Sequence, residues 1–389
     1  MRRLLSALLV SAVLASGCGD DDDPSATTDT TTTLAPAAGA TDGVETTTTA
    51  GPDTTTTAEP ATTTEAPPTV TAADLAAPGP YPVGVTQREL PTGNLAEVWY
   101  PAGPEAEGAT DTYQVRTFLP ELMADLVPAD TDDGLTVAAG RDAAPAEGET
   151  FPLVLFSHGA TSFRFQSTTL AHHLASWGMV VASADHPSRY LGNLLGGPDD
   201  PQPASDDVRA LRELVVADAT LGPAIDADRV AVGGHSAGGG TTLQIAGDEG
   251  IAGYVSYASR AFDDAALPAL PSLFMAGAID TIVEPGRTRA AFDAAPAPSW
   301  YLEFAEAGHL VFSDLCFIGG GEATLIDLAV AAGLADFVDE RLEQLGTDGC
   351  EPPNRPVEEV WPGIHQATTG FLRWVFGIDA EPLGVDAPA

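Results

Sequence analysis

The chain has 389 residues, 44% of them hydrophobic, which is enough for one large domain with a sizeable core once signal and linker segments are set aside. It carries 56 acidic residues against 16 arginines and no lysine, a net charge of −40. A surface of that sign repels phosphate backbones and anionic membranes, which excludes a nucleic-acid-binding role. The acidity reads as a solvated surface rather than as the footprint of a cationic partner.

Residues 1–17, "MRRLLSALLVSAVLASG", read as an export signal. Arg2 and Arg3 supply the positive start, and the apolar core from Leu4 to Leu14 is too short to span as a stable membrane helix. The small residues leading to Cys18 resemble a bacterial lipobox, in which the cysteine is lipidated and becomes the mature N-terminus. The expectation is an extracytoplasmic protein held at the cell surface, touching the membrane only through that lipid. Residues 18–78 are acidic and threonine-rich and cannot bury enough apolar surface to fold, so they are expected to form a disordered tether.

From Gly79 to about residue 380 the composition is that of a folded domain. "VTQRELPTGNLAEVWYP" predicts an antiparallel hairpin around a Pro-Thr-Gly-Asn turn. "PLVLFSHG", "MVVASAD", "RVAVGG", "GYVSYA", "PSLFMAGAID" and "SWYLEFAEAGH" then read as buried strands ending in loops. Helical patterns stand between several of them, among them "FQSTTLAHHLASWG" and "SDDVRALRELVVADAT", and "TTGFLRWVFG" from Thr368 predicts a closing helix. Apolar strands alternating with helices predict an α/β fold: a mostly parallel sheet covered on both faces, opened by the hairpin.

Gly234-His235-Ser236-Ala237-Gly238 is a G-x-S-x-G pattern between an apolar strand and a helix. A sharp strand-to-helix turn leaves no room for neighbouring side chains, and it presents the serine at a helix N-terminus. A nucleophilic serine needs a base, and the base an orienting carboxylate, here expected to follow in the order Ser, Asp or Glu, His. Asp280 closes the "PSLFMAGAID" strand and His309 stands in the Gly-His turn after "WYLEFAEAG". Asp263, Asp264 and Asp314 are weaker candidates for the acid, since none ends an apolar strand, and Glu284 lies too far into its loop. His172 and His173 precede the serine in a helical pattern that suits packing. His235 lies within the turn, and His365 reads as a helix-start residue. The oxyanion is expected to meet the backbone N–H of Ala237 and that of Ala160, with Thr161 as the alternative to Ala160.

These motifs, with "LVLFSHGATSF", "DRVAVGGHSAGGG" and "MAGAIDTIV", make the region from Tyr81 to Gly377 resemble the α/β-hydrolases. Within them it is similar to bacterial esterases of the dienelactone hydrolase-like and platelet-activating-factor acetylhydrolase-like group and to cutinase-like polyester hydrolases. Ser236 stands where dienelactone hydrolases carry cysteine, and Ala160 where cutinase-like enzymes usually carry an aromatic residue. The resemblance implies an exported serine hydrolase of carboxylic esters, acting on a small-molecule or lipid-like ester without a cofactor or metal. The alternatives are a lipase, a polyester hydrolase, a peptidase, or an inactive hydrolase fold used as a surface binding module.

Cys316 and Cys350 are the cysteines left after Cys18, and in an exported chain they predict a disulfide. Zinc is the other reading, but no further His or Cys accompanies them. The segment between them reads as mostly one amphipathic helix, which the bond would pin beside His309. Residues 186–207 form a Gly/Pro-rich loop in which Leu191, Leu194 and Leu195 either face an acyl chain or pack a surface connection.

Overall fold

Residues Val83–Glu89 (β1) and Leu95–Pro101 (β2) form the expected hairpin, paired antiparallel from Val83 opposite Pro101 to Glu89 opposite Leu95. Gly93 takes φ +88° in its turn, a conformation open to glycine at no steric cost. The computed structural model to which they belong describes residues 70–118, 124–125, 133–193, 198, 200–261, 266–318, 324–331, 335 and 338–385. The expectations for the export signal, for Cys18 and for most of the tether lie outside these residues.

Asp111–Gln114 (β3) and Asp133–Val137 (β4) make a separate two-stranded antiparallel sheet. The main sheet continues with Ala139–Arg141 (β5), Phe151–Ser157 (β6), Val180–Ala184 (β7), Ile225–His235 (β8), Ile251–Tyr257 (β9), Ser272–Gly277 (β10) and Ser299–Phe304 (β11). Its order is β11-β10-β9-β8-β6-β7-β2-β1-β5. The strands from β7 through β6 to β11 run parallel, and β2 joins β7 antiparallel. This is the α/β-hydrolase fold.

The apolar runs are continuous because both faces are covered. In β6, Val154 and Phe156 enter the core beneath Thr168–Ser176 (α1), while Leu153 and Leu155 enter the opposite core beneath Ala204–Ala217 (α2). Each such leucine contributes roughly 2 kcal/mol by leaving water. Ala237–Ile245 (α3) and Pro285–Ala294 (α4) follow β8 and β10. Leu325–Ala331 (α5), Glu340–Thr347 (α6) and Val357–Val375 (α7) are further α-helices among the described residues.

Four expectations are corrected. The closing helix begins at Val357, not Thr368, and runs through Pro362. That proline lies near the helix start, and the buried face of Val357, Val360, Ile364, Ala367 and Phe371 outweighs the bond it forgoes. His365 is therefore not a helix-start residue: it is buried within α7, its ring stacked on His173 at 4.3 Å. Among its described residues, the segment between the cysteines holds two α-helices, because Asp339 caps α6 by accepting the Leu342 amide at 2.8 Å and so starts a new one. The packed body is also wider than residues 79–380. Leu75 is fully buried, His173 Nε2 bonds the Leu75 carbonyl at 3.0 Å, and Val385 is buried at the other end.

Candidate active site

β8 ends at His235 and α3 starts at Ala237, so Ser236 alone makes the turn, at φ 57° and ψ −122°. A non-glycine residue held there is strained, and such strain persists only where the surroundings over-determine it. Here the surroundings do so by contact. A Cβ on Gly234 would stand 2.4 Å from the Gly238 carbonyl oxygen, and one on Gly238 1.9 Å from that of Ser157. The Ser236 amide is tied to the Tyr257 carbonyl at 2.9 Å. The Ala237 N–H belongs to the first turn of α3 and has no intrahelical acceptor.

Asp280 and His309 leave the carboxyl ends of the neighbouring strands β10 and β11, and the structure brings them together. His309 Nδ1 bonds Asp280 Oδ2 at 2.8 Å, with both residues buried. Asp280 Oδ1 accepts the amides of Ile282 and Val283, each at 2.8 Å, which fixes the carboxylate plane. His309 Nε2 is buried and has no hydrogen-bond partner, so the far side of the ring is free to take a proton. The Ser236 hydroxyl is therefore not bonded to it in this resting geometry, a looseness common in unliganded sites.

His235, which the sequence places within the turn, links the parts. Gln166 Nε2 donates to His235 Nδ1 at 3.0 Å, and His235 Nε2–H donates to the His309 carbonyl at 3.0 Å. Burial, reinforced by His309, pushes the His235 imidazole well below its usual value and keeps it neutral for this pair of bonds. Gln166 Oε1 in turn accepts the Gly159 amide at 2.8 Å. A Cβ on Gly159 would lie 3.4 Å from Ser236 Cβ, so this loop lies against the nucleophile turn. With the Gly159 amide engaged, the next amides along are those of Ala160, which is exposed, and Thr161, which has φ 49°.

The competing residues go elsewhere. His172 bonds the Ala138 carbonyl at 2.8 Å. Asp314 accepts the Thr169 amide at 2.9 Å at the start of α1, and burial pushes its carboxyl up to about 7. Asp263, Asp264, Leu194 and Leu195 lie outside the described residues, and Leu191 is partly buried against the core. Cys316 and Cys350 are bonded, with Cα atoms 5.0 Å apart. Among the described residues no group of three or more His, Cys, Asp or Glu could hold a metal ion, and no helix is long and apolar enough to cross a membrane.

A second Ser-His-Asp chain, unsuspected from the sequence, lies behind the turn. Ser157 Oγ bonds His186 Nε2 at 2.9 Å, and His186 Nδ1 bonds Asp207 Oδ2 at 3.1 Å, all three buried. Arg189 donates to Ser157 Oγ at 2.6 Å, to Thr241 Oγ1 at 2.9 Å and to the Ala237 carbonyl at 3.3 Å. Burial, with the Arg189 charge beside it, pushes His186 well below its usual value. Both of its nitrogens are engaged, Nδ1 with Asp207 and Nε2 with Ser157. This chain is a strut that ties β6, the start of loop 186–207 and α2 to the first turn of α3.

Comparison with known proteins fits this geometry. A family model described as PET hydrolase-like matches residues 139–359, more than half of the chain. A second, described as platelet-activating factor acetylhydrolase, isoform II, matches residues 81–190. Platelet-activating factor acetylhydrolase of Cavia porcellus is 32% identical over 89 residues, 23% of this chain and 19% of that protein. That of Gallus gallus is 29% identical over 130 residues, 28% of this chain and 29% of that protein. The chain thus spans less than a third of the length of the curated relatives it matches. A solved structure of ferulic acid esterase from Streptomyces cinnamoneus superposes with a TM-score of 0.58 at 19% identity, covering 81% of this chain and 96% of that one, a likeness of fold.

Proposed function

Since the chain belongs to the PET hydrolase-like family, we propose that it hydrolyses carboxylic esters through a covalent acyl-enzyme on Ser236. The observation that carries this reading is His309, held by Asp280 at 2.8 Å with its other nitrogen unpartnered, beside a strained serine turn. Ser236 Oγ attacks the ester carbonyl carbon while His309 Nε2 takes its proton. The Ala160 and Ala237 amides bind the developing oxyanion. Collapse expels the alcohol, which receives the proton from His309. Water then enters, gives a proton to His309 and attacks the acyl carbon; the acyl–Oγ bond breaks, His309 returns the proton to Ser236 Oγ, and the acid leaves. Asp280 holds the tautomer and stabilises the imidazolium without itself taking the proton.

Small-molecule or lipid-like esters fit best, because Ala160 offers no aromatic surface at the mouth of the oxyanion loop. A polyester is the second reading, favoured by the family match. The protein acts outside the cytoplasm, lipidated at Cys18 and held off the membrane by the threonine-rich segment; loss of membrane association in Cys18→Ser tests that placement. The catalytic reading is tested with p-nitrophenyl esters of increasing acyl length and a polyester film, with Ser236→Ala alongside. Turnover and fluorophosphonate labelling that both disappear in Ser236→Ala are expected. A folded wild type that turns over no ester and resists the probe overturns the reading in favour of a binding module.

A further inference from the structure

The loops bearing Asp280 and His309 are stitched near their strands by the Ala278 amide on the Phe304 carbonyl, at 2.9 Å, and the Ile279 amide on the Ala307 carbonyl, at 3.1 Å. Past Ile279 the stitching passes to a side chain from elsewhere in the sequence. Asp348 Oδ1 accepts the His309 amide at 2.5 Å, and the Asp348 carbonyl accepts the Leu310 amide at 2.8 Å. Its Oδ2 accepts the Thr281 amide at 3.0 Å and also the Thr281 hydroxyl. One carboxylate thus grips His309 itself and the residue that follows Asp280. Bonds to an ionised acceptor are roughly twice as strong as neutral ones.

The approach is close enough to depend on glycine. A Cβ on Gly308 would stand 2.4 Å from Asp348 Oδ1 and 2.7 Å from Gly349 Cα, and Gly349 takes φ +105°. Asp348 is itself anchored. Its amide bonds the Gln344 carbonyl at 3.0 Å at the end of α6, and Gln344 Nε2 donates to Thr281 Oγ1 at 2.9 Å. Cys350, two residues on, is bonded to Cys316, just beyond the His309 loop.

We infer that Asp348 is a positioning residue that clamps the base-bearing loop to the acid-bearing loop, with the Cys316–Cys350 bond holding the clamp in place. The inference rests on the serine mechanism above. The charged and titratable groups facing His309 are Asp280 at Nδ1, Asp348 at the backbone amide and the His235 ring at 4.6 Å between centroids. Among the charged groups of the described residues, only Asp348 bonds the loops of both base and acid without being one of them. A misplacement of about 1 Å at such a site can cost a hundredfold in rate, so the clamp acts on turnover rather than on binding.

The test uses the full chain, p-nitrophenyl butyrate, kcat and KM measured separately, and the thermal midpoint of every variant. Asp348→Ala is expected to lower kcat by about tenfold to a hundredfold with KM changed less than about twofold. Asp348→Asn is expected to recover part of the loss, since its one amide oxygen can still accept the His309 amide. The paired Cys316→Ser and Cys350→Ser substitutions are expected to lower kcat in the same sense. Should Asp348→Ala fail to fold, Asp348→Asn is held to the same kcat criterion. A folded Asp348 variant with wild-type kcat, beside an inactive Ser236→Ala, overturns the clamp and leaves the serine mechanism standing. An active Ser236→Ala overturns both.

Discussion

Two chains of serine, histidine and aspartate lie about one sheet, one bonded throughout and the other open between serine and histidine, and only the open one is built to react. In the buried chain, Ser157 ends a strand in ordinary extended backbone and accepts a hydrogen bond from Arg189, so its oxygen is already engaged. His186 spends both nitrogens, and burial holds it neutral. In the other chain, Ser236 is forced to positive φ and stands half-buried, and His309 keeps Nε2 unpartnered. The residue types are the same, and in each the histidine Nδ1 bonds the aspartate. What differs is an unsatisfied acceptor next to a strained hydroxyl, and such unfilled valence, costly in a core, is what a substrate can use.

Substitutions at corresponding positions put this contrast at risk. The largest effect is expected for Ser236→Ala, which should reduce kcat at least about ten-thousandfold with little change in the thermal midpoint. Asp280→Asn should cost about a thousandfold to ten-thousandfold in kcat, because the neutral amide no longer enforces the Nδ1–H tautomer. Retained turnover in either folded variant, read by steady-state ester hydrolysis, would transfer the chemistry away from this chain.

Asp314 measures what burial does to a carboxylate even where the Thr169 amide bonds it. Burial pushes it from its usual 3.8 to about 7, so between those values the folded state binds a proton that the unfolded state has released. Its contribution to stability therefore falls as pH rises from about 4 to about 7, and the full penalty stands above 7. Asp314→Asn lifts that penalty. Urea unfolding should find the variant more stable than the wild type at pH 8, by up to about 4 kcal/mol, with the gap closing by pH 4. A gap that is the same at both pH values would show that the carboxyl is not the group that titrates.

Much of this arrangement was legible in the sequence because it rests on local pattern. Gly234 and Gly238 flank Ser236 within five residues, and Asp280 and His309 each follow an apolar strand whose end can be read from the sequence. The supporting bonds were not legible. Asp207 joins His186 from across a loop, Gln166 reaches His235 from another strand's end, and Asp348 meets His309 from beyond two helices. No periodicity encodes such contacts; they exist only once the sheet has brought the strand ends together. The closing helix was misjudged for a related reason. Pro362 reads locally as a breaker, while the apolar face that overrides it is satisfied only by packing against the core.

Ser157→Ala is the smallest expected effect and the one most specific to the comparison. It removes the oxygen shared by Arg189 Nη2 and His186 Nε2 and leaves two polar groups short of a partner, the histidine fully buried. A loss of about 1 to 3 kcal/mol in unfolding free energy follows from that desolvation. Turnover should stay within a few-fold of wild type, because Arg189 keeps its bonds to Thr241 and to the Ala237 carbonyl and so still braces the first turn of α3. The two readouts must separate: a stability loss with turnover retained makes the buried chain a strut. A collapse of turnover in a variant as stable as wild type would mean that Ser157 reaches the reaction, and that the two chains work as one.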